Sequence, residues 1–294
     1  MAHKSGFVNI IGNPNVGKST LMNDLVGERL SIITSKAQTT RHRIMGLVNT
    51  DDYQIVFSDT PGILKPSYKL QESMMRFVNT AISDADIFLY VTDVVETADK
   101  NKEYIDRLAK VESPVILIIN KVDLTTPEKL DILVDQWKEK LPKAIIIPTS
   151  AKLNFNVETV MKTIVELLPE GEPYFPKDQL TDKPMKFFAA EIIREKIFLN
   201  YEKEIPYSTE VVIESYKEEG NLTRISAVIY VIRQSQKGII IGKQGKMLKK
   251  VGTEARKELE AFLDTKVFLE LYVKVSDKWR DNERDLKNFG YIQD

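Results

Sequence analysis

Short apolar runs alternate with amphipathic stretches from position 7 to about position 168. Phe7–Ile11, Ile44–Val48, Tyr53–Ser58, Asp86–Thr92, Val115–Asn120 and Ala144–Thr149 have the length and β-branched content of strands. Val115-Ile-Leu-Ile-Ile119 is apolar throughout, as a strand covered on both faces should be. Helical spacing falls over 18–27, 68–82, 99–111, 127–140 and 155–168. This alternation predicts an α/β domain with a mostly parallel sheet, whose ligands bind beyond the carboxyl ends of its strands.

The pattern then breaks. Pro169, Pro173, Pro176 and Pro184 interrupt a polar stretch that reads as a linker. From 185 an amphipathic helix carries Phe187, Phe188, Ile192, Ile193 and Ile197. Two alternating strands follow, over 208–217 and 222–233, joined by a hairpin turn at Glu218-Glu-Gly-Asn221. An apolar segment, a Gly-x-x-Gly turn, a helix over 246–263 and a strand over 266–275 complete an α-β-β-α-α-β order. The expected division is a nucleotide-binding domain over 1–170, a Pro-rich linker over 171–184 and a second, α+β domain over 185–294.

Candidate chemistry clusters at strand ends. Gly12-Asn13-Pro14-Asn15-Val16-Gly17-Lys18-Ser19 lies between a predicted strand and a predicted helix, the setting a phosphate-binding loop requires. Its glycines let backbone N–H groups close around phosphate oxygens at a helix N-terminus. Lys18 would reach the terminal phosphates, and the Ser19 hydroxyl would hold Mg²⁺. Asp59-Thr60-Pro61-Gly62 follows a later strand. Its carboxylate suits Mg²⁺, and the Gly62 N–H suits a γ-phosphate. Asn120-Lys121-Val122-Asp123 follows another. A carboxylate at Asp123 can accept from both guanine N1–H and the 2-amino group, donors that adenine lacks. Asn120 would brace the loop and Lys121 would lie along the base. Ser150-Ala151-Lys152 ends the next strand, where the Ala151 N–H would face guanine O6. Between the first two motifs, Thr39 and Thr40 are both candidates to complete the Mg²⁺ shell and sense the γ-phosphate, with Thr40 preferred. Lys18, Thr40 and Gly62 are the expected catalytic groups.

In the second domain, the turn Ile241-Gly242-Lys243-Gln244-Gly245 leads into a basic helix. Lys237, Lys243, Lys246, Lys249, Lys250, Arg256 and Lys257 face one acid, Glu254, over 237–257. Lys243, Lys246 and Lys250 are expected on one helical side. A Gly-x-x-Gly turn lets a nucleic-acid backbone approach closely, so the module is expected to hold single-stranded RNA of about four nucleotides. Ile239–Ile241 and the adjoining strand are expected to wall its groove.

Composition narrows this further. A net charge of −1 excludes a globally basic binder while leaving room for a local patch. The chain has no cysteine, and His3 and His42 are its only histidines, which excludes thiolate and histidine-cluster metal sites. No apolar run approaches the ~20 residues that span a bilayer, and no leader-like segment opens the chain. A cytoplasmic monomer is expected.

In this order the first-domain motifs resemble those of translation-factor-class GTPases, and the second domain resembles a KH domain of the second topological type. With Gln38-Thr-Thr-Arg-His42, Leu168-Pro-Glu-Gly-Glu-Pro-Tyr-Phe-Pro176 and Val273-Lys-Val-Ser-Asp-Lys-Trp279, essentially the whole chain is similar to the Era family of bacterial ribosome-assembly GTPases. The resemblance implies GTP and GDP binding, Mg²⁺, and hydrolysis coupled to switches near 30–43 and 60–80. It further implies binding near the 3′ end of 16S ribosomal RNA, a role in 30S subunit maturation, and peripheral association with the inner membrane. Ile63 departs from the Ras-like pattern, which places a water-orienting glutamine there, so slow intrinsic hydrolysis is expected. Asn15 matches the asparagine that binds K⁺ in some relatives, making a K⁺ ion at the nucleotide site a further expectation. Two other readings are a nucleotide kinase and an RNA-binding protein with a vestigial nucleotide site. The guanine motif and the intact set of phosphate and metal ligands argue against them.

Overall fold

The computed structural model describes residues 2–96 and 101–292. The chain forms two compact units, one of Met1–Lys65 with Met74–Asp182, the other of Lys183–Asp294 with the short segment Pro66–Ser73.

The first unit is a six-stranded sheet in the order β2-β3-β1-β4-β5-β6. Its strands are β1 (Lys4–Gly12), β2 (Ile44–Asn49), β3 (Tyr53–Asp59), β4 (Ile87–Asp93), β5 (Val115–Asn120) and β6 (Ile145–Pro148). All neighbours are parallel except β2 and β3. Every residue of β4 and β5 is buried, which is why the central strands carry no polar alternation. The helices are α1 (Lys18–Val26), α2 (Lys69–Ser83), α3 (Lys102–Leu108), α4 (Pro127–Lys140) and α5 (Val157–Leu167). The helix expected over 99–111 is thus α3, and positions 99 and 100 lie outside the described residues. Trp137 of α4 is buried edge-on against Tyr90 of β4, with ring centroids 5.8 Å apart.

The Pro-rich stretch is held along this first unit. Buried Gln54 of β3 donates to Phe175 O at 2.8 Å and accepts from the Tyr174 and Phe175 amides. Leu47 of β2 donates to Leu180 O at 2.8 Å, and the Tyr174 ring sits 4.9 Å from that of Phe7. The prolines end helical structure, as expected, but the segment runs as an ordered strap rather than a free tether.

The second unit has α6 (Met185–Asn200), β7 (Glu210–Glu219), β8 (Leu222–Val231), α7 (Gln234–Ile241), α8 (Lys246–Leu263), β9 (Lys266–Val275) and α9 (Glu283–Asn288). β8 is the central strand, antiparallel to β7 and parallel to β9. Ile193 and Ile197 of α6, Val251 and Leu259 of α8, and Ile225 and Ile229 of β8 share one core. The apolar segment before the Gly-x-x-Gly turn is the end of α7, and Ile240 belongs to that core. The segment after β9 is tied down as well: the Trp279 indole N–H donates to Ser208 O at 3.1 Å, and Tyr291 OH donates to Glu210 at 2.7 Å.

Candidate active site and nucleic-acid interface

The phosphate loop leaves the carboxyl end of β1 with Gly12 at φ +150° and Gly17 at φ +99°. A Cβ on Gly17 would lie 2.1 Å from Asn120 Nδ2, so glycine is required by close approach as well as by conformation. Asn120 Nδ2 donates to Val16 O at 2.8 Å, and its Oδ1 accepts the Ala151 N–H at 3.0 Å. One side chain thus ties the phosphate loop to both guanine motifs. The Ala151 amide, expected to face guanine O6, can therefore reach a base only as a shared donor.

Lys18 is buried, and among the described residues its ammonium donates to carbonyls within the loop, Asn13 O at 2.8 Å and Gly12 O at 3.2 Å. Burial pushes its pKa down to about 8, against the pull of Asp59 and Glu96. A phosphate at this position would supply the anion that a desolvated cation favours. Pro14, Asn15, Gly17, Ser19, Thr40 and Gly62 line the adjoining cleft of about 450 Å³, together with Lys121 and Lys152.

Three oxygens converge where Mg²⁺ is expected. Ser19 Oγ donates to Asp59 Oδ2 at 2.6 Å and contacts Thr40 Oγ1 at 2.9 Å, and Thr40 Oγ1 lies 3.3 Å from the same carboxylate oxygen. Among the described residues, Asp59 Oδ1 is buried with no hydrogen-bond partner of acceptable geometry. Burial raises the Asp59 pKa, while Lys18 and the hydroxyls of Ser19, Ser31 and Thr40 hold it down. A buried carboxylate with one unmet oxygen, flanked by two hydroxyls, is a hard-oxygen set that fits Mg²⁺. Of the two threonine candidates, Thr40 is the one whose hydroxyl stands beside Ser19 and Asp59. Thr39 Oγ1 is engaged with Thr34 Oγ1 at 2.5 Å and Lys36 O at 2.7 Å.

Asp59-Thr-Pro-Gly62 is bound closely to the phosphate loop. Thr60 Oγ1 donates to Ile10 O at 2.7 Å, and the Ile63 amide donates to Gly12 O at 3.0 Å. A Cβ on Gly62 would sit 2.6 Å from Pro14 N. Ile63 is buried and presents no polar atom to a water. In the guanine motif, Ser150 Oγ donates to Asp123 Oδ1 at 2.6 Å, and Lys121 Nζ donates to Asn15 O in the phosphate loop at 2.6 Å. Asp93, which no sequence motif singles out, accepts from the same ammonium. Its one sequence signal is an acidic residue at the end of an apolar run.

In the second unit, Gly242 (φ +70°), Gln244 (φ +55°) and Gly245 (φ +74°) bend the chain between α7 and α8. Lys243, Lys246, Lys249 and Lys250 carry the positive charge of this turn and of the first turns of α8. Lys243 stands in the turn and not on α8, because the left-handed Gln244 breaks the helix between them; of the three lysines expected on one side, Lys246 and Lys250 share it. A groove of about 390 Å³ opens beside the turn. Its walls are Leu248 and Gly252 of α8 and Leu269 and Leu271 of β9, with Lys249 and Arg256 at its rim. Of the wall expected from Ile239–Ile241 and the adjoining strand, the strand part is seen in Leu269 and Leu271, whereas Ile240 is fully buried and Ile239 is 51% exposed outside this groove's lining. Gly252 was the missed signal. A Cβ there would come within 3.2 Å of Leu271 Cδ1, so glycine lets strand and helix approach closely.

A P-loop domain that reads guanine, joined to a KH domain, defines a GTPase with an RNA-binding module. The family model described as 50S ribosome-binding GTPase matches residues 7–121, and the KH domain model matches 204–280. GTPase Era of Geotalea daltonii is 47% identical over 98% of this chain and 97% of its own length, and GTPase Era of Staphylococcus haemolyticus is 45% identical over 99% and 98%. A crystal structure of Era with MgGDPNP and nucleotides 1506–1542 of 16S ribosomal RNA matches with a TM-score of 0.94 and 42% identity, covering 99% of this chain and 100% of that one. Aquifex aeolicus Era bound to GDP·AlF4⁻, a tyrosine-to-alanine variant, matches with the same score at 41% identity, covering the same shares. The chain belongs to the Era family of GTPases. It binds GTP and GDP with Mg²⁺ and hydrolyses GTP.

Proposed function

We propose that this chain is a GTP-driven switch that holds single-stranded RNA near the 3′ end of 16S ribosomal RNA and acts in maturation of the 30S subunit. The observation that carries this reading is the pairing, in one chain, of a guanine-specific phosphate site with an apolar groove rimmed by Lys249 and Arg256. The relative crystallised with 16S RNA shares this architecture over its full length.

Within the nucleotide site, Lys18 supplies charge to the terminal phosphates and the Gly62 N–H meets the γ-phosphate. Ser19, Thr40 and Asp59 hold Mg²⁺, which when bound neutralises phosphate charge. Loss of the γ-phosphate would free the segments carrying Thr40 and Gly62, the charge event that a switch converts into release. With Ile63 buried and apolar, it cannot orient the attacking water, and intrinsic hydrolysis is slow. A K⁺ ion beside Asn15 would supply missing positive charge. Asn15 is left-handed (φ +64°), and its amide donates to Ser35 O at 3.0 Å, bringing a backbone carbonyl against the phosphate loop. Among the described residues no helix is long and apolar enough to cross a membrane. Action as a cytoplasmic monomer, with peripheral contact to the cytoplasmic face of the membrane, completes the proposal; the membrane contact rests on family likeness alone.

The test is GTP turnover measured with and without an oligonucleotide of the 16S RNA 3′ end, in potassium and in sodium buffers. Stimulation by the RNA and by K⁺ is expected. Absence of RNA binding removes the ribosomal reading, and equal turnover in the two buffers removes the K⁺ site.

A further inference from the structure

Asp93 closes β4 and belongs to none of the nucleotide-binding motifs. It is 5% exposed, and the register of β4 with β5 sets it opposite Asn120. Its Oδ1 accepts the N–H groups of Val95 and Glu96, each at 2.9 Å, so the turn that ends the strand fixes the carboxylate. Its Oδ2 lies 2.6 Å from Lys121 Nζ. The same ammonium donates to Asn15 O at 2.6 Å, and Lys121 itself holds a left-handed backbone at φ +60°. The lysine side chain is 33% exposed and the carboxylate 7%, so the partner is rigid and internal while the lysine borders the cleft.

We propose that Asp93 is a positioning residue for the guanine nucleotide. A long, flexible lysine side chain loses rotamer entropy when it is ordered. Here the ordering is done before the ligand arrives. A fixed carboxylate and a phosphate-loop carbonyl stretch Lys121 across the cleft, and its aliphatic stem becomes a preformed shelf for the base. The pair also joins three strand ends, because β4 supplies Asp93, β5 leads into Lys121 and the loop after β1 supplies Asn15. Asn15 O is neutral, so Asp93 is the charged anchor. Without it the ammonium is free to turn toward solvent or toward the phosphates.

Asp93→Asn keeps an oxygen for the two turn amides and removes the charge on Lys121's partner. The expected result is about tenfold weaker binding of GDP and GTP alike, through faster nucleotide dissociation. The KM for GTP should rise by a similar factor, with kcat changing less than about twofold. In a Lys121→Met background Asp93→Asn should add little, since the group it positions is gone. Three results would overturn the proposal: dissociation rates equal to those of the unmodified chain, a loss confined to GTP, or an undiminished effect in the Lys121→Met background. The last would show that Asp93 only supports its turn.

Discussion

The Ser150 hydroxyl donates to Asp123 Oδ1 at 2.6 Å, so the carboxylate proposed to read guanine is oriented by the motif of the following strand. Asp123→Asn replaces an acceptor with a donor, and preference should move from guanine toward xanthine nucleotides, read by competition binding. Ser150→Ala leaves the acceptor in place but frees its orientation. Loss of one such bond costs about 1 kcal/mol, so GDP affinity should fall roughly fivefold with guanine preference retained. Unchanged base preference in Asp123→Asn would contradict the assigned role.

Lys18 sets function against stability. Its amine is buried, with its pKa pushed down to about 8, and among the described residues it is hydrogen-bonded to carbonyl oxygens of its own loop. Lys18→Met removes a desolvated charge while keeping most of the side-chain volume. The nucleotide-free protein should gain about 1–3 kcal/mol in the first unit, seen as a higher melting temperature, while GTP binding is lost. A lower melting temperature in the nucleotide-free variant would mean that the carbonyl contacts outweigh the desolvation.

Thr40 and Thr39 are neighbours with different partners. Thr40 faces Ser19 and Asp59, whereas Thr39 bonds within its own loop to Thr34 and Lys36. Thr40→Ala should raise the Mg²⁺ concentration needed to slow GTP release by about tenfold or more, and lower turnover with it. Thr39→Ala should loosen the loop with no such shift in Mg²⁺ requirement. Nucleotide release followed during a Mg²⁺ titration separates the two, and a reversed pattern would reassign the metal ligand.

The strands and motifs were legible because each is a local matter. A mostly apolar run of six or seven residues ending in Gly, Asp or Asn names both the strand and the residue at its carboxyl end, as with Phe7–Gly12, Tyr53–Asp59 and Val115–Asn120. What stayed hidden depends on partners distant in sequence. Nothing near Pro173 announces that Gln54 will capture the Tyr174 and Phe175 backbone. Ile239–Ile241 looked like a groove wall because three consecutive isoleucines do not say which one a helix turns inward; the core took Ile240. The groove beside the turn is lined by Leu248 and Gly252 of α8 against Leu269 and Leu271 of β9, a pairing that only the position of β9 reveals.

The Gly-x-x-Gly turn should be separable from the nucleotide site. Gly242 sits at φ +70°, and a Cβ there would lie 2.7 Å from Met247 Cγ and 3.1 Å from its backbone nitrogen. An aspartate at this position meets strain of about 1–2 kcal/mol from the left-handed backbone, a clash with the first turn of α8, and a negative charge where phosphates are expected. Gly242→Asp should therefore weaken binding of a single-stranded 16S RNA 3′ fragment at least about tenfold and leave GDP affinity unchanged. Lys243→Ala and Lys246→Ala provide a milder check that leaves the backbone alone. Where a lysine neutralises one phosphate of a single strand, its removal should lower the slope of log affinity against log salt by about 0.7, independently of RNA sequence. Both measurements come from fluorescence titrations at several salt concentrations. Loss of RNA and nucleotide binding together in Gly242→Asp would point to misfolding, in which case the salt slopes of the lysine variants decide whether the turn touches phosphate.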